Sequence, residues 1–414
     1  MKKSIIIEGQ KLNYYESESK IDPLCLVTFL KAQKIYPKMY WNERFSNEER
    51  IAIGSILSLD HIPLSSEIDQ ETRLYGGYAF SQKTHPESIW GDFPKSYFFL
   101  PQYEIIQSRE ETRLITRSLK NETLDKLCWN ETNLDEELLI KERSDLPSEP
   151  SWHPLIEKCL TKIDQKILSK VVLARQTTIE SFRDIDPYAM LQTLKEKKLN
   201  TTIFSLQIQP PSTFIGSTPE KLYTKEGSSF YTEALAGTLP RGASEREDSD
   251  LQTHLLQSAK DLDEVAKVES FLKVLLHSFG EDVKHDVNYS IFQTPNVQHL
   301  YKKLSCTIGK NISHTELTSA IHPTPAVGGM PKEPALAFIE KYEPFDRGWY
   351  AAPIGWISGA SADLAVAIRS ALIVKDKVHL FAGTGIVKAS DPKEEWQELE
   401  SKISQYMELF YATK

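Results

Sequence analysis

Cysteines are few and scattered: four in 414 residues, Cys25, Cys128, Cys159 and Cys306. No two stand at a C-x-x-C spacing, which excludes a zinc knuckle and leaves single thiols suited to a reducing compartment. Long apolar runs are missing as well. None approaches the roughly 18–20 residues of a membrane-spanning helix. The opening MKKSIIIEGQ imitates a secretion signal with Lys2 and Lys3, but its apolar run Ile5–Ile7 stops at Glu8. Such a signal needs roughly 7–15 apolar residues. A cytoplasmic protein with no membrane contact is expected. Positive charge is in deficit, 49 Lys and Arg against 58 Asp and Glu, net −9. That argues against a nucleic-acid partner, whose phosphates need a surplus of cations. A small anion remains admissible, because a pocket sets its own local field. The ten histidines include no H-E-x-x-H. G-x-S-x-G, the P-loop and G-x-G-x-x-G are also absent, so zinc-hydrolase, α/β-hydrolase and nucleotide-site readings are poor.

What is present is an ordinary globular composition, 40% hydrophobic and 26% charged, in a chain long enough for one large enzyme core or two to three domains. Residues 131–150, ETNLDEELLIKERSDLPSEP, are acidic and without a core pattern, and read as a linker or loop. They divide a variable N-terminal region, 1–145, expected to share the same α/β sandwich, from a catalytic region, 150–414. Leu155, Ile156, Leu160, Ile163 and Ile167 predict a helix over 154–168. KVVLARQTTIE, TTIFSLQIQ, TFIGS, KLYTKEGSSFYTEAL and LAVAIRSALIVKDKVHLFAG read as strands and hairpins, TTIFSLQIQ with one buried face. Residues 246–279 read as one long amphipathic helix and 393–412 as the last. Strands, long helix, strands, helix is an α+β order with large antiparallel sheets flanked by helices.

Several polar residues sit where packing is expected. Lys170 opens an apolar strand, and Arg369 interrupts AVAIRSALIV; a buried cation asks for an anion. The plain alternative is a strand start at the surface and a solvated strand face. Glu220 falls in the turn of FIGSTPEKLY, Glu264 among the apolar positions of the long helix, and Glu395 and Glu398 on one side of the last helix with Lys402 a turn further. Solvated turn and surface pairs are the default for each. EALAGTLPRG and LFAGTGIVKAS read as Gly-rich turns whose N–H groups approach an anion. HPTPAVGGMPKEP reads as a loop suited to a lid.

In this order KVVLAR, FIGSTPEKLY, EALAGTLPRG, the Glu264 helix, QHLY, HPTPAVGG, EPFDRGWYAAPIGW, AIRSA, AGTGIV and SDPKEEWQELESK resemble the chorismate-utilising enzymes, from about residue 150 to the end. The resemblance implies the fold of the anthranilate synthase large subunit and a chorismate substrate. Lys170 matches the lysine base of isochorismate and salicylate synthases, where anthranilate synthases carry Gln. Ala236 stands where aminodeoxychorismate synthase carries a nucleophilic lysine, and Ala326 where salicylate synthases tend to have Thr. EPFDRGWYAAPIGW is similar to the menaquinone-type isochorismate synthases, whereas Tyr350 matches the salicylate synthases. The implied reaction adds water at C2 and expels the C4 hydroxyl, with Lys170 as base and Glu220 as acid. Glu264 and Glu398 are implied as Mg²⁺ ligands, with Glu395 close by. Arg369, Lys402 and the backbone of Gly383 and Gly385 are implied to bind the enolpyruvyl carboxylate, and Thr238 and His299 to position substrate. No glutaminase subunit is expected, and the chain is expected to be a monomer or weak dimer. Salicylate synthase is the main alternative. An anthranilate or aminodeoxychorismate synthase component and a non-catalytic chorismate-binding protein stand further off.

Overall fold

The computed structural model describes the chain apart from residues 8, 82, 84–87, 121–122, 136–138, 198–199, 295–296, 310–311 and 412–414 and the side chains of 409–411. Among the described residues, 21 antiparallel strands join into one hydrogen-bonded system with helices packed against it. No helix there is long and apolar enough to cross a membrane. The α+β expectation holds. Strands from before residue 145 are built into the same system: Lys38–Asn42 pairs with Thr202–Gln207, and Leu74–Tyr78 with Pro353–Ile357.

The strand Lys170–Ser181 has a core on each side. Val171 and Leu173 enter a cluster beneath the helix Glu149–Asp164 and the last helix, Pro392–Tyr411, where Trp152 and Trp396 lie 6.1 Å apart. Ala174 enters the large central cluster. Because strand side chains alternate, Lys170 and Val172 share the inward face of Ala174. The neighbouring strand Lys377–Ile386 has the same two-faced character. Val378, Leu380 and Ala382 go outward, while Phe381 joins the central cluster with Gly383 and Gly385 in the same phase. Gly385 pairs with Val172 and Gly383 with Ala174.

Several expected boundaries shift for identifiable reasons. The 131–150 stretch contains the strand Ile140–Leu146, paired on one side to Lys170–Ser181. It is mostly solvated, so it carries no core pattern. The helix expected over 154–168 runs Glu149–Asp164 and stops where Lys166 turns left-handed, φ 59°. The long helix is two, Glu245–Gln257 and Ala259–Phe279, broken at Ser258, whose hydroxyl accepts from Asp261 N–H as a cap. TTIFSLQIQ is buried on both faces, because Phe204 and Leu206 meet the central core while Ile203 meets a third cluster under the N-terminal helix Leu26–Ala32. Both Gly-rich segments lie inside strands rather than in turns: Ala236–Thr238 within Ser229–Pro240, and Gly383–Gly385 within Lys377–Ile386. The last helix ends at Tyr411, and residue 412 lies outside the described residues.

Candidate active site

Ten of the eleven residues singled out from sequence line one cleft: Glu220, Thr238, Glu264, His299, Arg369, Gly383, Gly385, Glu395, Glu398 and Lys402. The eleventh, Lys170, reaches its wall, with Nζ 2.8 Å from Glu264 Oε1. Lys170 is 1% exposed, which removes the reading of a surface strand start. A Cβ on Gly385 would stand 2.7 Å from Lys170 Cε and 3.2 Å from Glu264 Oε1. The glycine is therefore the space into which the lysine folds. On Gly383 a Cβ would meet the Tyr350 hydroxyl at 2.8 Å.

Glu220 follows Pro219 at the close of the strand Ser212–Thr218, and its backbone C=O accepts from Val366 N–H. It is buried rather than solvated, within 3.5 Å of the Thr324 hydroxyl. Burial pushes its carboxyl up to about 7, against the opposing charge of Lys170. Glu264 differs. Burial opposes its ionisation too, but the bonded Lys170, with Lys402 and Lys260 beyond it, holds its carboxyl below the ordinary value. Two carboxyl groups in one cleft are thus driven apart, the arrangement that separates an acid from an ionised group.

Arg369 is not a mid-strand residue. It stands in the bend between the strands Ser361–Val366 and Ser370–Val374 with φ 48°. Left-handed backbone is costly for a non-glycine residue and persists where the surroundings over-determine it. Here the Arg369 carbonyl accepts from Ser217 N–H at 3.0 Å and the Tyr406 hydroxyl at 2.7 Å, and Nη1 donates to Lys402 C=O at 2.8 Å. Burial lowers the guanidinium to about 10. Lys402 Nζ donates to Gly383 C=O at 2.9 Å and to Glu398.

A bulge at Gly237, φ 69°, shifts the register between Ala236 and Thr238 and sets Thr238 opposite His299. His299 Nδ1 lies 3.0 Å from the Thr238 hydroxyl and 3.1 Å from Gly237 C=O. Donation to that carbonyl assigns the proton to Nδ1 and leaves Nε2 an acceptor. Burial, with Arg369 nearby, lowers the imidazole to about 3, so it is neutral.

Glu264, Glu395 and Glu398 line the same cleft, yet among the described residues no three of His, Cys, Asp and Glu converge as a metal cluster. As a donor set they suit a hard divalent cation, which takes oxygen ligands. Burial raises the Glu395 carboxyl, and Glu398 raises it further, a like-charge conflict that a cation between them relieves. Glu264 and Glu398 each spend Oε1 on a lysine, and their other oxygens carry no hydrogen bond among the described residues.

Lys260 and Asp261, at the start of the Ala259–Phe279 helix, also line the cleft and were not singled out. The sequence hides them as ordinary helix-surface charges; only the break at Ser258 turns them inward. The loop that opens HPTPAVGGMPKEP, 322–331, forms a wall of the cleft in this structure. Ala326 and Val327 line the cleft, Val172 N–H donates to Gly328 C=O at 2.9 Å, and Arg347 Nη1 to Val327 C=O at 2.9 Å.

The sequence profile of a family described as "Chorismate binding enzyme" matches residues 62–410. The match therefore begins well before residue 150, consistent with the Leu74–Tyr78 strand being part of the shared sheet. The chain is 31% identical over 404 residues to isochorismate synthase MenF of Haemophilus influenzae, covering 95% of this chain and 91% of that protein. It is 34% identical over 358 residues to the chloroplastic isochorismate synthase of Catharanthus roseus, 81% of this chain and 62% of that one. The chain thus spans about three fifths of such plant relatives. Among solved structures, Escherichia coli MenF, titled a menaquinone-specific isochorismate synthase, superposes with a TM-score of 0.85 at 24% identity, covering 98% of this chain and 96% of that one. Anthranilate synthase component I of Streptococcus pneumoniae gives 0.73 at 19%, covering 87% and 92%.

Proposed function

The chain belongs to the chorismate-binding enzyme family, and from that premise we propose that it is an isochorismate synthase serving menaquinone formation. The observation that carries the reading is the pair Lys170 and Glu220: two buried groups at one cleft, the second with its carboxyl raised to about 7 and so substantially protonated near neutral pH. The reaction needs both. Water is too weak a nucleophile and hydroxide too poor a leaving group, so a base must take a proton where water attacks and an acid must give one where hydroxide departs. Lys170 Nζ takes a proton from the water that bonds to C2 of chorismate. The ring double bonds shift, the C4–O bond breaks, and Glu220 gives its proton to the leaving oxygen. One water is consumed and one released. To act as base, Lys170 reacts as the neutral amine, which presents its one lone pair to the water and keeps an N–H for Glu264.

Arg369 and Lys402 bind the enolpyruvyl carboxylate, with the backbone of Gly383 and Gly385 alongside; the planar guanidinium suits a carboxylate fork. Thr238 and His299 position the substrate. Chorismate carries two negative charges, and the cleft sets Lys170, Lys260, Arg369 and Lys402 against five acidic side chains. Mg²⁺ held by Glu264 and Glu398, with Glu395 near, would supply the missing positive charge for the ring carboxylate. We further read residues 1–145 as part of the same sandwich, and the chain as a cytoplasmic monomer or weak dimer without a glutaminase subunit.

Purified protein given chorismate and Mg²⁺, without ammonia or glutamine, is expected to yield isochorismate alone by chromatography. Tyr350, stacked on Phe381 at 5.2 Å beside Gly383, matches the salicylate synthases, and that resemblance favours salicylate synthase as the second reading. Salicylate with pyruvate would establish that one instead. Turnover only after ammonia is added would overturn both.

A further inference from the structure

Behind the cleft lies a narrow chamber that shares Pro219, His299 and Arg369 with it. Its inner part is lined by Thr201, Ser217 and Thr294, all buried, and its outer part by Ser401, Ser404 and Gln405 of the last helix. Exposure rises along it: Ser217 is fully buried, Ser404 and Gln405 half-buried, Ser401 exposed. The lining therefore runs from the catalytic cleft to the surface. Its lining is mixed: five hydroxyls and one amide stand beside the apolar Pro219 and Val297, and Thr201 and Ser217 are bonded to each other at 2.5 Å. There is room for water and none for an organic ring. At its inner end stands an unpartnered buried polar atom. His299 is 6% exposed, and its Nε2 has no hydrogen-bond partner among the described residues. Such a group asks for a donor, from substrate in the cleft or from water in the chamber when the cleft is empty.

We propose that this chamber is the water port of the active site, through which the water formed from the C4 hydroxyl leaves and bulk water returns while the substrate still fills the cleft. The inference rests on the isochorismate synthase reading, which requires one water in and one out per turnover. Its position suits the exit. Pro219 lines the chamber and directly precedes Glu220, which protonates the departing oxygen. Water leaving past His299 meets the hydroxyls of Thr201, Ser217, Thr294, Ser404 and Ser401 and the amide of Gln405, each able to donate and accept. Ser404 and Ser401 are positioning residues here and touch no substrate.

The test uses chorismate carrying oxygen-18 on C4, in ordinary water. If the released water escapes quickly, reversal within the bound complex returns solvent oxygen to C4, and recovered chorismate loses label. If escape is blocked, the same water adds back and the label stays. The readout is label lost from chorismate per isochorismate formed. Ser404→Leu obstructs the middle of the chamber, and Ser401→Trp obstructs its exposed mouth, where a large side chain does not disturb packing. In both variants the ratio is expected to fall several-fold. A purely structural defect slows both processes and leaves the ratio unchanged. An unchanged ratio in both variants, with isochorismate still formed, overturns the water port alone. No isochorismate from the unsubstituted chain overturns the activity and the port together.

Discussion

A raised proton affinity sets Glu220 apart from Glu264, whose carboxyl is lowered, although both line one cleft. Glu264 has Lys170 at 2.8 Å, whereas among the described residues the Glu220 carboxyl has a single hydroxyl, at 3.5 Å. For Glu220, therefore, desolvation wins and the carboxyl moves to about 7. An acid must be protonated in the free enzyme, so kcat/KM is expected to fall as pH rises through about 7. Glu220→Gln should cost roughly 10²–10⁴ in kcat and abolish that alkaline limb in the residual rate. A limb that survives the substitution would remove Glu220 from the acid's role. Gly385 is the complementary case, a residue important for what it lacks. Gly385→Ala puts a methyl group 2.7 Å from Lys170 Cε. The flexible lysine gives way rather than the fold, so kcat should drop by roughly 10²-fold with Tm little changed. Steady-state kinetics beside a thermal melt separate the two effects.

At the scale of elements, the decisive features are interruptions. Ser258 breaks what the apolar pattern presents as one helix, and the second helix then starts with Lys260, Asp261 and Glu264 directed at the cleft. The Ser258 hydroxyl accepts from Asp261 N–H at 3.3 Å. Removing it with Ser258→Ala should cost about 1 kcal/mol of stability and raise KM, because the same turn carries charges that face substrate. A urea midpoint and KM measured together check this; a stability loss with KM unchanged would show the cap to be structural only. The bulge at Gly237 and the left-handed bend at Arg369 are interruptions of the same kind. Each breaks a regular strand to aim a side chain. A reading based on apolar periodicity passes over all three, because the residues on either side keep the pattern.

Over the whole molecule, four histidines held below their ordinary value by burial are expected to set acid tolerance. Burial lowers His314, His322 and His379 to about 4 and His299 to about 3, whereas an unfolded histidine titrates near ~6.5. Between those values the unfolded chain binds more protons than the folded one, so stability falls as pH drops from about 6.5 toward 4. Each histidine should remove on the order of 1–2 kcal/mol by pH 5. The urea midpoint at pH 5 is expected well below that at pH 7. His314→Gln should flatten the dependence, since Nε2 of His314 lies 2.9 Å from Ser358 C=O and an amide N–H can donate there without titrating. Equal midpoints at the two pH values would show that the histidines do not set the acid limit.

The sequence by itself determined part of the second half's inventory, the strands near 170–181, 202–207 and 212–218 and the helices near 149–164 and 392–411, because β-branched runs and apolar spacing are local properties; the helices Pro187–Glu196, His314–Ile321 and Lys332–Tyr342 and the strand Val297–Ile308 it passed over. It also determined the family, because ten motifs in order are a linear signal, and through the family it picked out the side chains that meet at the cleft. What it left open was everything that depends on through-space neighbours. Lys170 and Glu264 are 94 positions apart and touch only because two strands and a helix converge. Glu220 and Glu264 are the same residue type with opposite proton affinities, set by which of them a lysine reaches. The strand Leu74–Tyr78 reads as part of a variable region until its edge is seen paired with Pro353–Ile357. Lys260 and Asp261 look like surface charges until the helix is broken at Ser258. Dielectric environment, charge proximity and edge pairing are properties of distance in space, and only the tertiary structure fixes those distances.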